Sequence, residues 1–140
     1  MKLLLLIQSF FLVNFYLGQT LKINISGLRN SSGTIRVCFY NTSESFDKEK
    51  PMLIKIEPKA KITNGNLTIS YADLKPGTYG IAILDDENSN QKMDYGWVLP
   101  KEGFGFSDYY HTGMSHPKFE SFDFVLKNED KTVQIKLRYL

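Results

Sequence analysis

The run Tyr79-Gly80-Ile81-Ala82-Ile83-Leu84 has no charged side chain and no polar face. A strand of that kind has to be covered on both sides, which predicts a central strand in a layered β fold. It runs straight into Asp85-Asp86-Glu87-Asn88-Ser89-Asn90-Gln91-Lys92-Met93-Asp94. There Asp86, Asn88, Asn90 and Asp94 fall at the first, third, fifth and ninth places of a loop. A tightly wound loop turns such alternate oxygens toward one centre, and a hard cation such as calcium wants that pattern.

Shorter runs flank this strand. Leu21–Ile25, Thr34–Tyr40, Met52–Glu57, Asn66–Tyr71, Phe119–Leu126 and Thr132–Leu140 read as further strands, with clear apolar alternation in Leu21–Ile25, Asn66–Tyr71 and Thr132–Leu140. With the central run they make seven strands, and no segment has a convincing helical period. Gly27–Gly33 is rich in turn residues, so the first two strands read as a hairpin. Asn64-Gly65 marks a tight turn. Pro76-Gly77 fits a type II turn with glycine at positive φ. The alternation places Ile23, Ile25, Val37, Phe39, Ile81, Ile83, Ile135 and Leu137 in the core. Asn41–Pro51 reads as a surface loop with Phe46 as its candidate anchor.

The chain begins with a different chemistry. Met1-Lys2 precedes Leu3–Leu17, which is almost wholly apolar, and Gly18 precedes Gln19. This is the layout of a secretory signal peptide over residues 1–18, leaving one domain over 19–140. The apolar run is short for a membrane span and lacks a basic stop-transfer flank. Export to the medium, the periplasm or the cell envelope is therefore expected, with no stable membrane span after cleavage. The net charge of +2 offers no basic stripe, which argues against a nucleic-acid partner. The one cysteine, Cys38, cannot form an internal disulfide and reads as a buried apolar residue.

Within the Asp86 loop, Lys92 stands where an EF-hand gives a backbone carbonyl. The pattern departs from an EF-hand at the sixth place, where Gln91 replaces glycine, and at the twelfth, where Trp97 replaces the bidentate Glu. Glu87 and Glu102 are candidates for the missing carboxylate. The competing reading is an Asx-rich turn held by side-chain to backbone hydrogen bonds. A bound ion here would be structural rather than catalytic.

Asp85–Lys118 has no sustained period but holds Tyr95, Trp97, Phe104, Phe106, Tyr109 and Tyr110. So aromatic a segment is expected to fold down as a lid. The alternative is that exposed aromatics of loop 95–110, Trp97, Tyr109 and Tyr110 among them, take a glycan or a protein partner. Asp108, His111 and His116 could form a small hydrolase site, but no nucleophile elbow, zinc spacing or phosphate loop accompanies them.

Leu74-Lys75-Pro76-Gly77-Thr78-Tyr79 resembles the L-x-P-G-x-Y element of small transthyretin-like and carboxypeptidase-regulatory-like sandwiches. Joined to the Asp86–Asp94 loop, Pro100–Ser107, Phe119-Glu120 and the terminal Leu137-Arg138-Tyr139, it resembles an exported bacterial family, domain of unknown function 2141. The resemblance covers about Leu21 to Leu140. It implies a transthyretin-like or immunoglobulin-like fold, export and no established activity. Glycines typical of that family's loop are replaced here by Ser89 and Gln91. Residues and resemblance together give an all-β, seven-stranded antiparallel Greek-key sandwich. The expected role is that of a non-catalytic exported module, with calcium as the one candidate cofactor.

Overall fold

The computed structural model describes residues 18–140. The expected signal peptide, apart from Gly18, lies outside the described residues. Eight strands and one short helix follow: β1 (Thr20–Ser26), β2 (Thr34–Tyr40), α1 (Ser43–Asp47), β3 (Leu53–Pro58), β4 (Leu67–Ala72), β5 (Gly77–Asp86), β6 (Gly103–Phe106), β7 (Asp123–Leu126) and β8 (Lys131–Lys136). They form two sheets. One has the order β4-β1-β8, and the other β3-β2-β5-β6 with β7 sharing the β6 edge of β5. The chain changes sheet after β1, β3, β4 and β7.

The central placing of β5 follows from its lack of a polar face. β2 pairs along Gly80–Asp86 on one side, and β6 and β7 divide the other. Ile81 and Ile83 point between the sheets, where they join Leu21, Ile23 and Ile25 of β1, Val37 and Phe39 of β2, and Val133 and Ile135 of β8 in one cluster. All eight expected core residues are buried. The opposite face of the larger sheet carries a second cluster of Cys38, Tyr40, Phe46, Phe106, Phe119 and Phe122. A two-sheet, sandwich-like core is thus extended by an aromatic layer over one outer face.

Five sequence expectations are corrected. The strand count is eight, because β6 lies inside the aromatic loop. Its glycines hide its alternation. A Cβ at Gly105 would come within 2.6 Å of Ile135 Cγ2, and one at Gly103 within 2.5 Å of the Tyr139 ring. The sheets are also not wholly antiparallel, since β1 and β8 pair in parallel.

The first two strands are not a hairpin, because β1 and β2 lie in different sheets. Each buries one face, and that alternation suits a crossover as well as a turn. Pro76-Gly77 is not a type II turn either: Gly77 has no positive φ and opens β5, while Asp73 takes the left-handed conformation at φ 64°. The Asn64-Gly65 turn is present, with both residues at positive φ and Thr63 and Asn66 exchanging backbone hydrogen bonds.

Helix α1 lies in the segment read as loop. Thr42 caps it, accepting from Ser45 N at 3.1 Å while Ser45 Oγ accepts from Thr42 N. This capping box satisfies two otherwise orphaned donors and lets one turn hold without a helical period. Phe46 packs edge-on against Tyr40 and Phe122, which confirms it as the anchor of this segment.

Candidate functional site

Two features lie together at the end of β5 and on the outer face of its sheet. The first is the Asp86 loop. Side chains alternate along β5, so Asp85 faces inward with Ile81 and Ile83, and Asp86 faces the other way. Asp86 is fully buried and organises the loop that follows. Its Oδ1 accepts from Asn90 N at 3.0 Å and its Oδ2 from Gln91 N at 2.6 Å. Asn88 Oδ1 also accepts from Asn90 N, and Asn90 Oδ1 from Lys92 N. Ser89 and Gln91 have φ of 58° and 63°. The chain thus takes left-handed turns at the two places where the resembled family carries glycine.

The remaining loop oxygens meet at Asp94. The side-chain amides of Asn88 and Asn90 both donate to its carboxylate, at 2.6 to 3.1 Å. Glu102, 4 % exposed, closes the loop from beneath, accepting from Glu87 N and Asp94 N at 3.1 Å each. Burial pushes the Glu102 carboxyl up from the usual range, and the nearby negative charges of Asp94 and Asp86 add to the rise. Among the described residues no salt bridge reaches Asp86, Asp94 or Glu102. Glu87 instead pairs with Arg29 at 2.5 Å, and that hydrogen bond holds its carboxyl below the usual range. As placed, no three His, Cys, Asp or Glu side chains among the described residues converge as a metal-binding group. The loop stands as a network of Asx turns rich in carboxylate oxygen and without a cationic partner.

The second feature is a cleft of about 780 Å³ over the outer aromatic layer. Gln91, Lys92 and Met93 of the Asp86 loop form part of its wall. Tyr95, Val98 and Leu99 line it from the aromatic loop, and His111, Met114 and His116 from the segment that follows. Tyr95, Val98, Leu99 and Met114 are exposed. The aromatic loop is therefore divided. Phe104, Phe106 and Tyr109 pack into the outer cluster, while Tyr95 and Trp97 stand in solvent. Trp97, Tyr109 and Tyr110 do not line the cleft, and Tyr110 lies under Lys136.

The proposed acid–histidine group is dispersed in its contacts. Asp108 Oδ1 accepts from Gln134 N at 2.7 Å, at the edge of β8. His111 bonds the carbonyl of Ser115 at 2.6 Å, and His116 stacks on Phe46. No hydrogen bond joins any two of the three. Cys38 is buried, and that burial raises its thiol pKa, as suits a packed residue.

Sequence reasoning passed over one buried group. Lys59 and Asp85 form an ion pair with both side chains at 0 % exposure. Tyr139 donates to Asp85 Oδ2 at 2.5 Å, and Arg29 covers the Tyr139 ring. The signal was available in the parity of β5, where Asp85 shares the inward face of Ile81 and Ile83.

A two-sheet β protein with an Asx-wound loop at the end of its central strand is the class that fold and site define. The family model described as an uncharacterized protein conserved in bacteria, DUF2141, matches residues 23–134, and the chain belongs to that family. Comparison with curated proteins finds no match, and neither does comparison with solved structures.

Proposed function

We propose that this protein is an exported, non-catalytic β-sandwich module, secreted or periplasmic in the cell envelope, whose Asp86 loop takes a structural calcium ion. The observation that carries this reading is the unbalanced charge of the loop. Asp86, Asp94 and Glu102, the first and last of them buried, meet at this loop with no ion-pair partner among the described residues. Burying a carboxylate is costly unless it is paired or holds a metal. The nitrogen and oxygen of an Asn amide exchange places by a half-turn of the amide plane. That half-turn would present Oδ1 of Asn88 and Asn90 to the point that Asp94 faces, at the cost of the bonds they accept from Asn90 N and Lys92 N, while Asn90 N keeps Asp86 Oδ1. With Asp86, Asp94 and the Lys92 carbonyl, the loop then offers the oxygen-only set that calcium prefers.

Export is supported by the apolar Leu3–Leu17 run, and by a first strand that begins at Thr20, just past the expected cleavage point. No helix among the described residues is long and apolar enough to cross a membrane. The interleaved order of the strands between two sheets supports a Greek-key, transthyretin-like arrangement.

A second reading is supported by the cleft. Tyr95, Val98, Leu99 and Met114 at its lining, with Trp97 nearby in sequence, suit a glycan ring or a protein partner. Because Gln91–Met93 form one wall, calcium in the loop would also fix the shape of this surface.

Thermal melting tests the main reading. Calcium at several times its Kd should raise Tm by a few degrees through preferential binding to the folded state, with magnesium doing less. Asp94→Ala should abolish the difference while leaving the buried Asp86 contacts in place. Coincident melting curves in chelator and in calcium would leave the loop as an Asx turn alone.

A further inference from the structure

We propose that Lys59 and Asp85 condense to an intramolecular isopeptide bond, an amide between Lys59 Nζ and Asp85 Cγ. The two side chains are in direct contact and wholly shielded from solvent. The ammonium has three donors, yet among the described residues its ion pair is with Asp85 Oδ1 alone, and no hydrogen bond of normal geometry serves either atom. Such a pair pays for desolvation of two charges while leaving donors unmatched. An amide carries no charge and only one N–H. Covalent closure thus removes the features that make the pair costly to bury.

The surroundings fit the reaction. Water is the product, and both groups are shielded from it. Asp85 stands opposite Gly103 in the β5–β6 register, and the missing side chain lets the Tyr139 ring lie against the strand. From there the Tyr139 hydroxyl reaches Asp85 Oδ2. Burial and the Asp85 carboxylate both raise its pKa, so the phenol stays a donor. Arg29 sits 4.5 Å from the ring centre and is tied to Glu87, closing that end of the core.

The step balances without any co-reactant. A proton passes from Nζ to Oδ1, giving an amine beside a carboxylic acid. The nitrogen lone pair attacks Cγ, and Oδ2 takes the negative charge under the Tyr139 hydrogen bond. A second proton moves from nitrogen to Oδ1, the Cγ–Oδ1 bond breaks, and water leaves. Of the three ammonium protons, two depart with Oδ1 and one remains on the amide nitrogen. No atom changes oxidation state.

The link would have mechanical meaning. Lys59 directly follows β3, an edge strand, and Asp85 lies on the central β5, with β2 between them. The bond would clamp the edge to the centre of the larger sheet. It would also restrict the unfolded chain as a disulfide does, in a protein whose single cysteine cannot.

Peptide mapping of the purified full chain tests this directly. Trypsin digestion of denatured protein should fail to cut after Lys59. It should release a branched peptide joining the Lys59 and Asp85 segments, lighter by one water than the two apart. Lys59→Met should remove that peptide and lower Tm. Denaturant does not break an amide, so the rate has to be read on newly made chain: in Tyr139→Phe, followed by mass spectrometry after pulse-labelled synthesis, the link should form more slowly, on the order of a hundredfold if the hydroxyl stabilises the oxyanion. A folded wild-type chain that is cut normally after Lys59 and gives both peptides unlinked would overturn the proposal. A link that forms in Tyr139→Phe at the wild-type rate would overturn the part assigned to Tyr139.

Discussion

Gln91 and Ser89 show how one backbone angle joins local sequence to a site. Both are non-glycine residues at positive φ, where a Cβ costs roughly 1–2 kcal/mol. The Asp86 carboxylate helps to hold the turn by accepting the Asn90 and Gln91 amides. Gln91→Gly is therefore expected to leave stability unchanged or raise it by up to about 1 kcal/mol, since relief of strain exceeds the added chain entropy. Denaturant unfolding checks this, and a loss above about 1 kcal/mol would show that the Gln91 side chain matters. Asp86→Ala should act the other way, costing about 1–3 kcal/mol as two loop donors lose their acceptor. At this scale much was legible. The oxygen spacing marked the loop, and alternation identified the eight core residues. Lys59 was not legible, because nothing in the residues around it signals that a lysine after a strand-closing proline turns inward. Tyr139 reaches its partner only through the absent side chain of Gly103.

Elements were legible where one face was apolar for several residues, and illegible where they were short. β6 spans only Gly103–Phe106, and half of it is glycine. Its Phe104 and Phe106 face the outer aromatic layer, while its glycines admit Ile135 and Tyr139 on the inner side. Gly105→Ala should thus overpack the β6–β8 contact and cost about 1–3 kcal/mol, measurable by denaturant unfolding. α1 depends on its cap rather than its length. Removing the hydroxyl in Thr42→Ala should cost about 1 kcal/mol. In β5, Ile83 is 2 % exposed, so Ile83→Ala should cost about 2–5 kcal/mol. A change within experimental noise there would contradict the central position of the strand.

For the whole molecule, pairing was the least legible property. The parallel β1–β8 ladder joins the two ends of the described chain, and no local pattern encodes a partner that far away. Charge, by contrast, acts across the molecule and gives a pH signature. The folded pKa of Glu102 is raised by burial and by Asp94 and Asp86. Its contribution to stability is thus fullest below the ordinary Glu value of about 4.3 and is lost as pH rises through the folded value. Calcium needs the deprotonated carboxylates, so its stabilising effect runs the opposite way. The calcium-dependent rise in Tm should grow with pH across that window and level off above it. Export predicts a mature N-terminus near Gln19, which mass spectrometry of protein from the cell envelope or medium would reveal. An intact Met1 on cytoplasmic protein would contradict it.

An amide-detected NMR titration with calcium reports on the loop atom by atom. Binding should shift the backbone amides of Asn90, Gln91 and Lys92 and the side-chain amides of Asn88 and Asn90, which would exchange their Asp94 contacts for the ion. These shifts should saturate together with one Kd of about 10⁻⁴–10⁻³ M, as for extracellular calcium modules. The core amides of Val37 and Ile135 should stay in place. If the loop resonances move no further in calcium than in magnesium at equal ionic strength, the Asp86 loop is not a calcium site.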